Sequence, residues 1–196
     1  MGRMLNRRSL ILSAPALLMA SHGHAQDAFG AFVAGVKARR AGIRDATLQD
    51  AFAGVQPNQR VVELDRRQPE FTLTWPQYRA RVLPDSRMQA ARDHYRQERA
   101  LLAQVEQRFG VDPGIIMGIW GIESAFGTNK GNYRLVEALS TLAFEGRRAA
   151  YFRGELINAL RILDAGDVTP ARLTGGYAGA MGQPQFMPSS YLKLAV

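Results

Sequence analysis

The chain has 196 residues, with 25 Lys and Arg against 17 Asp and Glu, a formal net charge of +8. Its hydrophobic content of 46% is too high for a disordered chain and ordinary for a globular protein of one or two domains. Cysteine is absent, which excludes disulfides, Cys-based zinc sites, a thiol nucleophile and a lipidated N-terminal cysteine.

The first 25 residues read as a secretory leader. Arg3, Arg7 and Arg8 form a basic start, Leu10 to Met19 is a short apolar stretch interrupted by Pro15, and Ser21, Gly23 and Ala25 are small residues suited to cleavage after Ala25. The apolar stretch falls short of the roughly 20 residues needed to span a bilayer. Arg7-Arg8 followed by Ser9-Leu10-Ile11 also loosely resembles a twin-arginine signal, so the Sec and twin-arginine routes both stay open. The expected organisation is therefore a leader over 1–25 and a mature chain over 26–196 with no membrane span. Removing the three leader arginines lowers the charge to +5. Such a surface suits acidic partners, among them nucleic acid, anionic lipid and cell wall. The arginines are scattered, however, and no nucleic-acid-binding motif is present, so most of them read as solvated helix faces.

The mature chain reads as helical throughout. Phe29, Phe32, Val33 and Val36 recur at helical spacing, and Lys37, Arg39 and Arg40 close that segment. Thr47 to Phe52 is a short second helix, Gln56-Pro57-Asn58 is a break, and Gln68 to Pro76 reads as a loop. A long amphipathic helix is expected from Asp85 to Phe109, with Ala91, Tyr95, Leu102, Val105 and Phe109 on one stripe and Gly110 as its stop. Asp112-Pro113 starts the next helix as cap and first-turn residue. Its residues Ile115, Ile116, Met117, Ile119, Trp120 and Ile122 leave no polar face, which predicts burial on nearly all sides and a central place in the fold. Arg148 to Leu163 forms a further amphipathic helix, striped by Phe152, Leu156, Leu160 and Leu163. No alternating strand pattern of useful length occurs, so the expected fold class is all-α.

Glu123 is the one acid between Asp112 and Glu137, and it falls in the last turn of the apolar helix. Apolar neighbours such as Trp120 and Phe126 disfavour its ionised form, as does the negative end of the helix dipole. A carboxylic acid that stays protonated suits a general acid for glycosidic cleavage. A glutamate at a helix end can equally turn out to water or pair with an arginine. The second feature is the segment Thr174-Gly175-Gly176-Tyr177-Ala178-Gly179-Ala180-Met181-Gly182-Gln183-Pro184-Gln185-Phe186-Met187-Pro188-Ser189-Ser190-Tyr191. Its glycines permit tight turns and close backbone approach of a ligand. It lacks the Gly-Lys-Ser/Thr ending of a phosphate loop. Gln185 and Tyr191 offer groups suited to sugar hydroxyl and acetamido groups.

The run Ile119-Trp120-Gly121-Ile122-Glu123-Ser124-Ala125-Phe126-Gly127 resembles the catalytic motif of the membrane-bound lytic transglycosylase B family. Leu139 to Phe144 with Arg147-Arg148 and Tyr151-Phe152 resembles a second block of that family. Gly179 to Gly182 with Gln185 to Tyr191 resembles a third, and the likeness reaches back to Gln77-Tyr78-Arg79. The resemblance implies a lysozyme-like, mainly helical domain that binds peptidoglycan strands in a groove; no cofactor or metal is expected in these residues, the calcium-binding loop of some members being expected beyond Val196. By position it implies Glu123 as the acid/base and Tyr78, Arg148, Tyr151 and Gln185 as residues that contact sugar or orient the glutamate. Arg147 is a further candidate beside them. Gly176 stands where the family usually carries a serine, and Pro184 where a smaller or more flexible residue is usual. The family pattern is expected to continue beyond Val196, so the domain is expected to be incomplete at its C-terminal end.

Hydrolytic glycosidases usually need two carboxylates, whereas here one stands out. The family mechanism needs only one, because the C6 hydroxyl of the MurNAc residue is the nucleophile and the product is 1,6-anhydro-MurNAc. Three alternatives stay open on the sequence: a hydrolytic muramidase using Glu137 or Glu145 as second acid, a non-catalytic wall-binding remnant, and nucleic-acid binding. Export predicts a periplasmic protein whose N-terminal sequencing begins at Gln26. A cytoplasmic protein that keeps Met1 would contradict the cell-wall reading.

Overall fold

The computed structural model describes residues 16–67, 73–145 and 147–195. They form α1 (Ala16–Arg39), α2 (Asp45–Ala51), α3 (Gln59–Arg66), α4 (Trp75–Val82), α5 (Asp85–Gln97), α6 (Arg99–Phe109), α7 (Pro113–Ser124), β1 (Tyr133–Arg134), α8 (Leu135–Glu145), α9 (Ala149–Ala165), β2 (Thr174–Gly175) and α10 (Pro188–Leu194). Residues 1–15 of the expected leader lie outside the described residues, and the backbone of 16–25 is continuous with α1. Among the described residues no helix is long and apolar enough to cross a membrane.

The core is built on α8 and α9. The α9 stripe lies as expected, with Phe152, Leu156, Leu160 and Leu163 all buried. Residues 135–145, to which the hydropathy pattern assigns no element, form α8, the most enclosed helix of the fold. Every residue from Ala138 to Ala143 is buried there, Ser140 and Thr141 included. Thr141 makes its burial tolerable by donating to the Glu137 carbonyl at 2.8 Å and accepting from the Asn58 N–H at 3.0 Å. Each buried Leu of this pair of helices contributes about 1.5–3 kcal/mol. Around them, α1 and α3 pack on α8, and α2 and α10 pack on α9.

Polar contacts fix the outer helices to that core. Asp164 at the end of α9 accepts from Thr47 Oγ1 at 2.6 Å and from Arg44 Nε at 2.9 Å. The Thr47 hydroxyl, and then Arg44, hold its carboxyl below the usual range. Buried Glu155 accepts from the Ser189 N–H at 2.9 Å and its hydroxyl at 2.6 Å, which ties the first turn of α10 to α9.

A second, smaller cluster joins α5, α6 and α7 through Leu102, Met117 and Phe126, with Ala90, Ala91, Ile116 and Trp120 packed against it. Here three expectations need correction. The single helix expected over 85–109 is two, broken at Glu98 (φ −95°, ψ 9°). No Gly or Pro marks the break; it lets α5 and α6 each pack on α7. The loop expected over 68–76 ends early: residues 68–72 lie outside the described residues, and Trp75-Pro76 open α4. Gln77 Oε1 accepts there from both the Thr74 N–H and the Thr74 hydroxyl at 2.9 Å.

The third correction concerns α7, which is not buried on all sides. Met117, Gly121 and Ser124 face the interior, while Ile115, Ile119 and Ile122 are about half exposed along one stripe. Its two helical neighbours cover only one face, and an apolar sequence reports composition rather than which neighbours are present. The start of α7 is as expected, with Asp112 Oδ1 accepting from the Gly114 N–H at 2.6 Å and Pro113 in the first turn.

Two glycines of α7 differ sharply in surroundings. A Cβ on Gly121 would lie 2.7 Å from the Phe126 ring, whereas one on Gly118 would meet nothing within 4 Å. Gly118→Ala is therefore expected to stabilise the protein by up to about 1 kcal/mol. Gly121→Ala is expected to destabilise it by about 1–3 kcal/mol through overpacking. Urea unfolding of the two variants checks this; equal effects would contradict the Phe126 packing.

Candidate active site

Glu123 lies one residue before the end of α7, and its side chain is exposed rather than walled in by Trp120 and Phe126. Phe126 instead turns inward over Gly121, 8% exposed, in an edge contact with Trp120 (5.3 Å between centroids) and a stack on His94 (4.7 Å). The chain makes this reversal in three successive left-handed residues: Ala125 (φ 48°), Phe126 (φ 59°) and Gly127 (φ 84°). Left-handed backbone costs a non-glycine residue about 1–2 kcal/mol, so the turn needs compensation. Ser124, fully buried, supplies part of it: its hydroxyl donates to the Trp120 carbonyl at 3.3 Å and accepts from the Gly127 N–H at 3.1 Å. The Phe126 N–H also returns to the Trp120 carbonyl, and the Asn129 N–H to the Ser124 carbonyl.

The Gly-rich segment reaches this turn from the other side. β1 pairs antiparallel with β2, Tyr133 opposite Gly175 and Arg134 opposite Thr174. The chain then folds back, with the Gly176 N–H bonded to the Ala180 carbonyl at 2.8 Å and Met181 and Phe186 exchanging backbone bonds at 2.8 and 3.0 Å. Two glycines serve this packing rather than ligand approach. A Cβ on Gly175 would lie 2.2 Å from the Ala180 oxygen, and one on Gly131 2.3 Å from Gly175. Gly176 is roomier, since a Cβ there would lie 3.5 Å from Gln185 Oε1. The position that the family usually fills with serine is thus sterically open.

Two glutamines connect the segment to the Glu123 turn. Gln185, itself left-handed (φ 52°), donates through Nε2 to the Lys130 carbonyl at 3.2 Å and the Gly182 carbonyl at 2.8 Å. Gln183 Oε1 accepts from Trp120 Nε1 at 2.5 Å. Of the five positive-φ non-glycine residues among those described, Ala125, Phe126 and Gln185 belong to these two meeting loops. Backbone strain concentrated in this way is a mark of functional sites.

The remaining expected site residues form two other groups. Arg148 pairs with the buried carboxylate of Asp65 at 3.2 Å, Arg147 donates to the Asp65 carbonyl at 3.3 Å, and the Arg148 guanidinium stands 4.9 Å from the Phe152 ring centre and 6.0 Å from that of Tyr151. Tyr151 is about half exposed. Its partial burial, and then the Glu155 charge, push its phenol above the usual value despite Arg148, so it is a neutral donor at physiological pH. Tyr78 stacks on exposed Trp75, with centroids 6.2 Å apart. Among the described residues neither Tyr78 nor Tyr151 has a hydrogen bond or ring contact to Glu123. The structure thus joins Gln185 to the Glu123 turn through the 128–131 loop, links the two arginines to α3, and sets Tyr151 beside Arg148. No group of three His, Asp or Glu side chains among the described residues is placed to hold a metal ion.

Sequence reasoning missed Asp65, His94 and Gln183. Asp65, whose carboxylate meets Arg148 and whose main-chain carbonyl meets Arg147, had a signal in Arg147-Arg148, which call for a counter-charge. Gln183 had none, because its partner lies 63 residues earlier in the chain.

Comparison with known proteins follows the same residues. The family described as transglycosylase SLT domain matches residues 26–196. The chain is 41% identical over 123 residues to membrane-bound lytic murein transglycosylase B of Escherichia coli K12, which covers 62% of this chain and 34% of that protein. Among solved structures it is similar to SltB3 of Pseudomonas aeruginosa (TM-score 0.78, 40% identity, 86% of this chain and 44% of that one). It is also similar to the Escherichia coli lytic transglycosylase Slt35 (TM-score 0.73, 34% identity, 87% and 55%). The chain spans about half the length of these solved relatives and a third of the curated one. The mainly helical, lysozyme-like fold expected from the sequence stands with these matches. The chain belongs to the transglycosylase SLT domain family.

Proposed function

We propose that the protein is a peptidoglycan lytic transglycosylase of cell-wall turnover that cleaves the MurNAc–GlcNAc bond and leaves a 1,6-anhydro-MurNAc end. Glu123 is its single acid/base. The observation that carries this reading is an exposed carboxyl held at the end of α7 by an over-determined left-handed turn, beside a second strained loop that bears Gln185. Of the two candidates for a second acid, Glu137 is engaged by Asn58 Nδ2 at 2.8 Å, and Glu145 is exposed at the far end of α8, 22 residues past Glu123 in the chain. A hydrolytic pair of carboxylates is correspondingly less well supported. The Pseudomonas relative SltB3 has been solved in complex with NAG-anhNAM-pentapeptide and with NAG-NAM-pentapeptide, and the first of these carries the anhydro sugar.

In the reaction, Glu123 gives its proton to the oxygen that joins MurNAc C1 to GlcNAc, and that bond breaks. The Glu123 carboxylate then takes the proton of the C6 hydroxyl of the same MurNAc, and O6 closes on C1. One acid therefore serves twice and no water is consumed. The intramolecular nucleophile profits from the high effective molarity of groups on one ring. Gln185 spends both amide N–H groups on backbone carbonyls, which leaves Oε1 to accept from a sugar hydroxyl or acetamido N–H. Tyr78 and Tyr151 offer exposed ring faces and hydroxyls to the strand, and Arg147 and Arg148 line it from the α8–α9 corner. We place the protein outside the cytoplasmic membrane, exported by residues 1–25.

Glu123→Gln keeps the shape but cannot donate the proton. Release of muropeptides from sacculi should fall by roughly 10²–10⁴-fold, the usual loss for a general acid/base, while sacculus binding persists. Undiminished cleavage by the variant would overturn the role of Glu123. Binding without cleavage by the unmodified chain would favour the wall-binding alternative, and tighter binding to DNA than to sacculi the nucleic-acid one.

A further inference from the structure

Gln183 touches both ends of the turn that carries Glu123. Its Oε1 accepts from Trp120 Nε1 at 2.5 Å. An indole N–H can only donate, so this bond fixes which way the amide faces. The same side chain lies against Gly127: a Cβ there would sit 2.7 Å from Gln183 Oε1 and 2.9 Å from its Cδ. Trp120 precedes Glu123 by three residues, so the two are neighbours on one helix face, with Cβ atoms about 5–6 Å apart. Helical side chains also lean toward the helix N-terminus, which tips Glu123 toward the level of Trp120. Gly127 is the last residue of the turn, four residues beyond Glu123. Gln183 thus brackets Glu123, from a loop that is itself clamped by the Met181–Phe186 backbone pair.

We propose that Gln183 is a positioning residue for Glu123: by holding the Trp120 indole and covering Gly127 it fixes the last turn of α7 against the Gly-rich loop, and with it the reach of the carboxyl toward the scissile oxygen. This inference rests on the function proposed above. Glycine at 127 suits its left-handed backbone (φ 84°), and a Cβ there would in addition displace the Gln183 amide. Trp120 is partly buried, and its ring also meets His94 at 5.1 Å and Phe126 at 5.3 Å. A shift of the indole is therefore passed directly to the strained residues 125–127.

The test uses Gln183→Leu, Gln183→Glu and Trp120→Phe in the full chain. Gln183→Leu should lower the rate of sacculus cleavage about threefold to tenfold, as expected for a lost hydrogen bond, with sacculus affinity unchanged. Gln183→Glu keeps an acceptor for the indole and should restore most of the rate. Gln183→Leu added to Trp120→Phe should cost little more than Trp120→Phe alone, because both remove one interaction. With Trp75→Phe as background, Trp120 is the sole tryptophan, and its fluorescence should become more accessible to acrylamide in Gln183→Leu but not in Gln183→Glu. Native rate and native quenching in Gln183→Leu overturn the proposal, as does a loss fully additive with Trp120→Phe. If the unmodified chain fails to cleave sacculi, the proposed function falls by itself. The quenching experiment still decides Gln183: greater accessibility in Gln183→Leu supports the clamp, and unchanged accessibility overturns it.

Discussion

The Ser124 hydroxyl, donating to the Trp120 carbonyl and accepting from the Gly127 N–H, closes a turn whose backbone is otherwise unfavourable. Ala125 and Phe126 together cost about 2–4 kcal/mol of left-handed strain. The hydroxyl repays part of this, and the Phe126 ring repays more by burying itself over Gly121 against Leu102 and Met117. Each contribution requires a small residue at a particular place: serine at 124 because it is fully enclosed, glycine at 121 because the ring occupies the space of a Cβ. Glu123 is thereby exposed on a backbone that the turn holds in place. Its backbone lies between a capped helix and a turn with one way to close.

The rest of the molecule serves to bring a second loop to that turn. α8 is enclosed by α1, α3 and α9, and β1 leads directly into it. β1 holds β2, and glycines at 131 and 175 let the following segment lie backbone against backbone. Gln183 and Gln185 then reach across to Trp120 and Lys130. Charge is arranged with similar economy. Asp65 is answered by Arg148, Asp164 by Arg44 and Thr47, and Glu155 by Ser189, so the buried or partly buried carboxylates are satisfied within the fold. Glu123 has no hydrogen-bond or ion-pair partner among the described residues and is available for chemistry.

Much of this was legible in the sequence where a signal is local. The Asp112-Pro113 start of α7, the Gly110 stop before it and the α9 stripe all depend on residues within one or two helical turns of each other. What depends on distant partners was not legible. Residues 135–145 carry Ser140 and Thr141 in mid-helix, which blurs the apolar stripe of α8, and the long-range partner of Thr141 is Asn58, the cap of α3, 83 residues earlier. The break at Glu98 lets α5 and α6 each pack on α7, and no Gly or Pro marks it. For α7 itself, apolar composition predicted burial, but Ile115, Ile119 and Ile122 face solvent because helices cover only the opposite side. At the site, the motifs singled out Glu123 and Gln185, and the structure links Gln185 to the loop after the Glu123 turn through Lys130; among the described residues Tyr78 and Tyr151 make no hydrogen bond or ring contact to Glu123. The clamp by Gln183 needed three dimensions.

The central claim is that one carboxyl acts on a nucleophile supplied by the substrate, so water is not a reactant. Digestion of sacculi in H₂¹⁸O, with mass spectrometry of the released muropeptides, tests this directly. The account predicts 1,6-anhydro-MurNAc ends that carry no ¹⁸O at C1. Reducing MurNAc ends labelled with ¹⁸O would show that water attacks, and would contradict it.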